Sequence, residues 1–230
     1  MSGGFLIIES DRLRKHLVAG ERLLFSSQKA ELELLPRRKS TARYSGALAV
    51  TDRRIYIVEK GRFFSSERKY EAVFSPNYAR QLINETYAVD LLTGASLEKG
   101  IFGKKNLLLQ VYHTSAEYDT RIRIENARKT KAELANADPH VGKLLDELSS
   151  WIGPRMFRGT CKLQIKQPLI LTENAQATDL SADGNQWLVP IIDRQRQKND
   201  VTYEPLLEIV QAKSQEISTV IKEYENPSLV

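Results

Sequence analysis

The stretch that decides the reading is "GALAVTDRRIYIV", Gly46 to Val58. Two short apolar runs flank a polar middle, Thr51-Asp52-Arg53-Arg54. Apolar runs of this length, separated by a few polar residues, fold back on one another as a hairpin. The arms are predicted over roughly 43–50 and 54–60. Asp52-Arg53 lacks the glycine of the commonest two-residue turns, which leaves the turn type open. Arg53, at the tip, is the arginine placed to meet a partner. Arg54 starts a strand, where its side chain is expected to pack along the sheet or pair with a carboxylate.

Upstream, Ser10-Asp11 caps a short helix over about 11–19, with Leu13, Leu17 and Val18 at helical spacing and Gly20 as its stop. Ala30, Leu32 and Leu34 then alternate with Glu31 and Glu33, a period of two that predicts a strand with one buried face. Pro36 ends it, and "PRRKSTAR" makes a polar, basic connection. Downstream, "SSERKYEAVF" reads as a strand and "SPNYARQLINE" as an inserted loop or helical turn. Extended segments resume in "TYAVDLLTGASLEKGIFG", "NLLLQVYH" and "TRIRIEN". A helix over 138–152 closes the series: Asp138 caps it, Pro139 takes its first position, and Val141, Leu144, Leu145, Leu148, Trp151 and Ile152 form one stripe. The fold class is therefore α+β and mainly β. About seven short antiparallel strands form a strongly bent sheet, and the 138–152 helix is expected to plug its open end.

A boundary is placed after residue 152, giving a domain over 10–152 and an extension over 153–230. In the extension, "KLQIKQPLIL" (162–171) has β character, 172–186 reads as loop, and "WLVPII" (187–192) docks onto something. A long helix is predicted over about 202–225. Its apolar stripe includes Leu206, Val210, Ile217, Ile221 and Tyr224, with a gap at Lys213 and Ser214. A coiled coil needs three or four clean heptads, so packing within the chain or a homodimer seam suits the stripe better. Those five residues are the candidate partner-binding face.

"AGERLLFSSQKAEL", "GALAVTDRRIYIV", "LEKGIFGKKNLLLQV" and a closing helix together resemble the prokaryotic pleckstrin-homology-like domains, with their GRAM and YokE-type relatives. The likeness rests on Gly20-Glu21 before the first strand, on Thr51 and Arg54 in the hairpin, and on the glycine turn before "NLLL". It covers about 10–152. It implies a bent barrel of about seven strands and a non-enzymatic module. Members bind phosphoinositide headgroups, other anionic lipids, peptides or ubiquitin. The connection that carries phosphate-gripping residues in lipid-binding members holds Arg37, Arg38, Lys39 and Arg43 here, matched by place and charge only. The chain departs from the pattern at 73–86 and after 152.

Bulk composition narrows the function classes. The chain has 230 residues, 41% hydrophobic and 27% charged, enough for a core without a staple. Its one cysteine, Cys161, excludes an intrachain disulfide. "MSGGFLIIESDRLRKHL" lacks the pattern of a secretory signal, so a cytoplasmic protein, soluble or peripheral at a membrane, is expected. The net charge is +5, and residues 151–230 carry 9 basic against 10 acidic side chains, so the positive excess belongs to 1–150. Such a field concentrates anionic partners. Two hypotheses follow. One is an adaptor that docks on anionic lipid through its basic loops, with Arg37, Arg38, Lys39, Arg43 and Arg53 as candidates. The other is a protein–protein or homodimer module using the last helix or an apolar groove. Nucleic acid is a third reading, since Phe63, Phe64, Tyr70, Phe74 and Tyr78 are interleaved with basic residues, although no binding motif accompanies them. His16, His113 and His140 have no spaced ligand partners, and no nucleophile or phosphate-loop motif is present. No cofactor, metal or catalytic residue is expected.

Overall fold

The computed structural model describes residues 12–35, 43–59, 67–85, 88–99, 105–114, 158–173, 175–182, 184–196 and 203–225. The hairpin forms as the sequence implies, from β2 (Arg43–Thr51) and β3 (Arg54–Glu59), with Ala47 opposite Val58 and Val50 opposite Ile55. Its turn needs no glycine because Thr51 replaces it: the hydroxyl oxygen accepts the N–H groups of Arg53 and Arg54, at 3.1 and 2.9 Å. Gly46 is required for another reason. A Cβ there would lie 1.9 Å from the Val58 carbonyl oxygen, so β2 and β3 approach closely only because it is absent.

Around the hairpin, eight strands make one sheet in the order β2-β3-β4-β5-β6-β7-β1-β8, and β1 also pairs with β2, which closes a ring of seven. The others are β1 (Leu23–Leu35), β4 (Arg68–Val73), β5 (Asp90–Lys99), β6 (Lys105–His113), β7 (Arg158–Ile165) and the two-residue β8 (Ile170–Leu171). β1 serves two neighbours by bending. Register shifts fall between Leu23 and Phe25 and between Ser27 and Ala30, and its second half pairs with β7 while Leu23 to Glu33 pairs with β2. All pairings are antiparallel except β4–β5, a parallel contact at the single position Val73–Leu91. That seam is the weak place in the ring.

Among the described residues, four helices of about two turns or longer accompany the sheet: α1 (Pro76–Asn84), α2 (Ala177–Ala182), α3 (Val189–Arg196) and α4 (Glu204–Glu225). α4 lies along β5 and covers the seam. Leu206, Ile209 and Val210 of its first half join the inner core with Leu48, Ile57 and Leu107. Ile217, Val220 and Ile221 of its second half join an outer cluster with Tyr78 of α1, Leu91 and Tyr112. The gap at Lys213 and Ser214 marks the switch between these clusters, and Lys213 there lies 4.8 Å from the Trp187 ring centroid. A third cluster sits outside the hairpin, where Leu13 and Leu17 cover Ala47, Ala49, Tyr56 and Val58. Both hairpin faces are thus buried, which is why its arms read as continuous apolar runs.

The outcome differs from expectation in several places. The predicted helix over 11–19 is a single turn at 12–14 in the described residues, and the chain reverses at Gly20, whose φ is 72°. The segment 76–84 is a regular helix. The stretch expected as loop over 172–186 contains α2 and runs into a 3₁₀ turn at Gln186–Leu188. Its order comes from docking of Ala175, Leu180 and Leu188 into the inner core, not from periodicity. Residues after the boundary at 152 supply β7, which sits between β6 and β1, and α4, which covers the seam. The predicted strand near 120–126 and the helix over 138–152 lie outside the described residues.

Candidate functional site

The hairpin tip holds a dense cluster of polar side chains. Arg54 is 2% exposed. Its Nε and Nη2 donate to the two oxygens of Glu21, both at 2.9 Å, and Nη2 also donates to the His16 carbonyl at 2.7 Å. Nη1 donates to Glu71. The Thr51 hydroxyl donates to Glu21 at 2.7 Å. Burial alone would lower the Arg54 pKa, but the hydrogen bonds and charge of Glu21, then the charge of Glu71, hold it above the ordinary value. Burial foremost raises the Asp52 carboxyl, although Arg22 N and Asn185 Nδ2 donate to it at 3.0 and 3.1 Å. Glu21, Thr51 and Arg54 are therefore one buried charge clamp. It ties the N-terminal segment to the hairpin.

Arg53 is used differently. Its Nη1 and Nη2 donate to the carbonyls of Ala19 and Gly20 at 3.3 and 3.0 Å, and its guanidinium lies 5.6 Å from the Tyr78 ring centroid. Arg54 lies over the same ring at 5.7 Å. Between this tip, α1 and the entry to β5 is a cleft of about 510 Å³.

The other predicted cations fall elsewhere. Arg43 is exposed and donates to Glu31 at 2.6 Å, and Lys166 adds a second cation to Glu31 at 3.4 Å. The hydrogen bond from Arg43 is the main reason the Glu31 pKa is lowered. Arg68 pairs with Glu59 at 3.2 Å and lies 4.8 Å from the Tyr44 ring centroid, and Lys69 pairs with Glu71 at 2.8 Å. Arg37, Arg38 and Lys39 lie outside the described residues. Arg43 and Arg53 are at opposite ends of the hairpin. Eight strand steps separate Arg43 from Thr51, roughly 26 Å at the usual rise. The structure does not bring these two into one site.

Leu206, Val210, Ile217 and Ile221 are buried in the chain's own clusters, and Tyr224 packs partly buried beside them. The stripe proposed as a partner face is already covered. Among the aromatic residues considered as base platforms, Tyr70, Phe74 and Tyr78 are buried, while Phe63 and Phe64 lie outside the described residues. Cys161 is buried, its thiol pushed up to about 12 foremost by burial, and its Sγ lies 3.2 Å from Tyr70 Oη. His113 Nδ1 lies 2.5 Å from Asp90 Oδ1. Among the described residues no cluster of three metal-ligating side chains occurs, and no helix is long and apolar enough to cross a membrane. Sequence reading gave no special place to Glu71 or to Tyr78 as part of the clamp. Their only signal was a carboxylate and an aromatic beyond the hairpin, too common to single out. No family model matches the chain, and no curated protein matches it.

Proposed function

We propose that the chain is a non-enzymatic binding module of pleckstrin-homology-like type that docks on anionic lipid headgroups through one end of its barrel. The seven-strand ring, the long bent β1 and the C-terminal helix over the seam support the likeness. The observation that carries the docking proposal is strand register. Glu33 pairs with Arg43, and Glu59 pairs with Arg68. With β2 lying between β1 and β3, the connections 36–42 and 60–66 leave from neighbouring strand ends. Residues 36–43 hold four basic and no acidic side chains, and 59–69 hold four basic and two acidic. The described cations there are matched by Glu31, Glu59 and Glu71, so the excess rests on Arg37, Arg38, Lys39, Lys60 and Arg62.

Each basic residue near an anionic surface contributes about 1 kcal/mol, so five contribute on the order of 5 kcal/mol at low salt. That suffices for reversible, salt-sensitive docking without insertion. The protein–protein reading through α4 is less well served, because its stripe is spent on the core. The test is sedimentation with phosphatidylcholine vesicles, with and without phosphatidylserine, across salt. Binding is expected only with phosphatidylserine, falling steeply as salt rises, and a triple Arg37, Arg38 and Lys39 replacement by alanine should abolish most of it. Equal sedimentation with both vesicles, or an unaffected triple variant, would remove this end of the barrel from the function.

A further inference from the structure

Arg53 differs from its neighbour in one respect that matters for binding. Among the described residues it has no carboxylate partner. Its two protein acceptors are backbone carbonyls, which orient the guanidinium without neutralising it. Three of its five N–H groups remain for a ligand. Asp52, adjacent in sequence, spends its oxygens on Arg22 N and Asn185 Nδ2. Arg54, by contrast, is balanced by Glu21 and Glu71.

The cleft that Arg53 faces has walls of suitable chemistry. Val18, Leu82, Val89 and the Tyr78 ring line it, with Gln81 and Glu85 toward the α1 side. Its volume, about 510 Å³, lies within the range of small-molecule and peptide-end pockets. Arg53 forms no ion pair among the described residues and acts on Asp52 only at a distance, so it is placed to balance one negative charge. A dianionic phosphate would carry surplus charge toward Glu71 and Glu85, both of which line the same space. We propose that this cleft binds a carboxylate carried on an apolar body, namely the C-terminal carboxylate of a peptide partner, with Arg53 as its anchor and Tyr78 as its wall. This site lies at the opposite end of the hairpin from the basic connections and does not depend on lipid docking.

The experiment is a nitrogen–proton NMR titration of the full chain, with the Arg53 Nε–H resonance as reporter. The probes are N-acetyl-Leu-Phe with a free carboxylate, the same dipeptide as its amide, and phenyl phosphate. The free acid is expected to saturate with a Kd of about 1 mM, shifting Arg53 Nε–H and the amides of Leu82 and Val89. Its amide should bind about tenfold more weakly, since a charged hydrogen bond is lost. Arg53→Gln should weaken the free acid to a similar degree. Because Arg53 also holds the Ala19–Gly20 turn, Ala88→Glu provides a second variant. Ala88 is exposed and lines the cleft, so a new negative charge there should weaken the acid several-fold. Equal binding of acid and amide, no saturation by about 10 mM, or preference for phenyl phosphate would each overturn the proposal.

Discussion

Replacing Arg54 with leucine removes the centre of the clamp. Glu21, whose side chain is fully buried, would lose both guanidinium bonds and keep, among the described residues, the Thr51 hydroxyl and the Val18 N–H as donors. Glu71 would retain Lys69. The His16 carbonyl would lose its guanidinium donor. Leaving a buried carboxylate without its cation costs about 3–5 kcal/mol. Glu21→Leu alone should cost less, since Arg54 keeps Glu71 and the His16 carbonyl. The double variant Glu21→Leu with Arg54→Leu should cost less than the sum, because no buried charge is stranded; a coupling of about 1–3 kcal/mol is expected. The assay is urea unfolding followed by tryptophan fluorescence, read as a change in midpoint at constant slope. A loss below about 1 kcal/mol for Arg54→Leu, or additive single and double variants, would show that the clamp is not a coupled buried unit.

Two further outcomes follow from the polar contacts. Because Arg43 holds the Glu31 pKa below its ordinary value, their pairing contributes stability above the unfolded carboxyl pKa, and that contribution is lost as pH falls through the lowered folded value. Arg43→Ala should therefore raise the Glu31 pKa in a carbon-detected NMR titration and flatten the acid side of the stability profile, by no more than about 1 kcal/mol since Arg43 is exposed. Gln195 is 3% exposed, and both amide heavy atoms are buried without a hydrogen-bond partner among the described residues. Gln195→Met should raise stability by about 1 kcal/mol, and a comparable loss in urea unfolding would show that the amide is satisfied after all.

The hairpin was legible because its apolar runs are local, and the Thr51 and Arg54 positions were visible within it. What could not be read is that Glu21 meets both of them, 30 and 33 residues away. The apolar stripe of α4 was equally plain, but its gap looked like a flaw in a heptad pattern. The structure gives the gap a cause, since the helix passes from the inner core to the outer cluster there. The boundary after residue 152 follows from the helix expected over 138–152 being succeeded by Gly153-Pro154, a pair that ends helices. Strand β7, which starts soon after, is held by β1 partners more than 120 residues earlier in the chain, a pairing that local patterns do not contain. Arg43 and Arg53 are both candidates as cations of basic loops. The length of β2 sets them at opposite ends of the hairpin, at a distance given by the rise per strand residue.

β7 and α4 are integral to the barrel. Burying Leu206, Ile209, Val210, Ile217, Val220 and Ile221 contributes about 1.5–3 kcal/mol each, on the order of 10 kcal/mol together. That is comparable with the whole net stability of an ordinary domain, about 5–15 kcal/mol. Loss of β7 would also leave β1 and β6 without their shared neighbour. The most direct measurement is urea unfolding and amide NMR of a fragment ending at residue 152. We expect poor amide dispersion and no cooperative transition, whereas the full chain shows both. A fragment with dispersed resonances and a sharp, reversible unfolding curve would contradict the account.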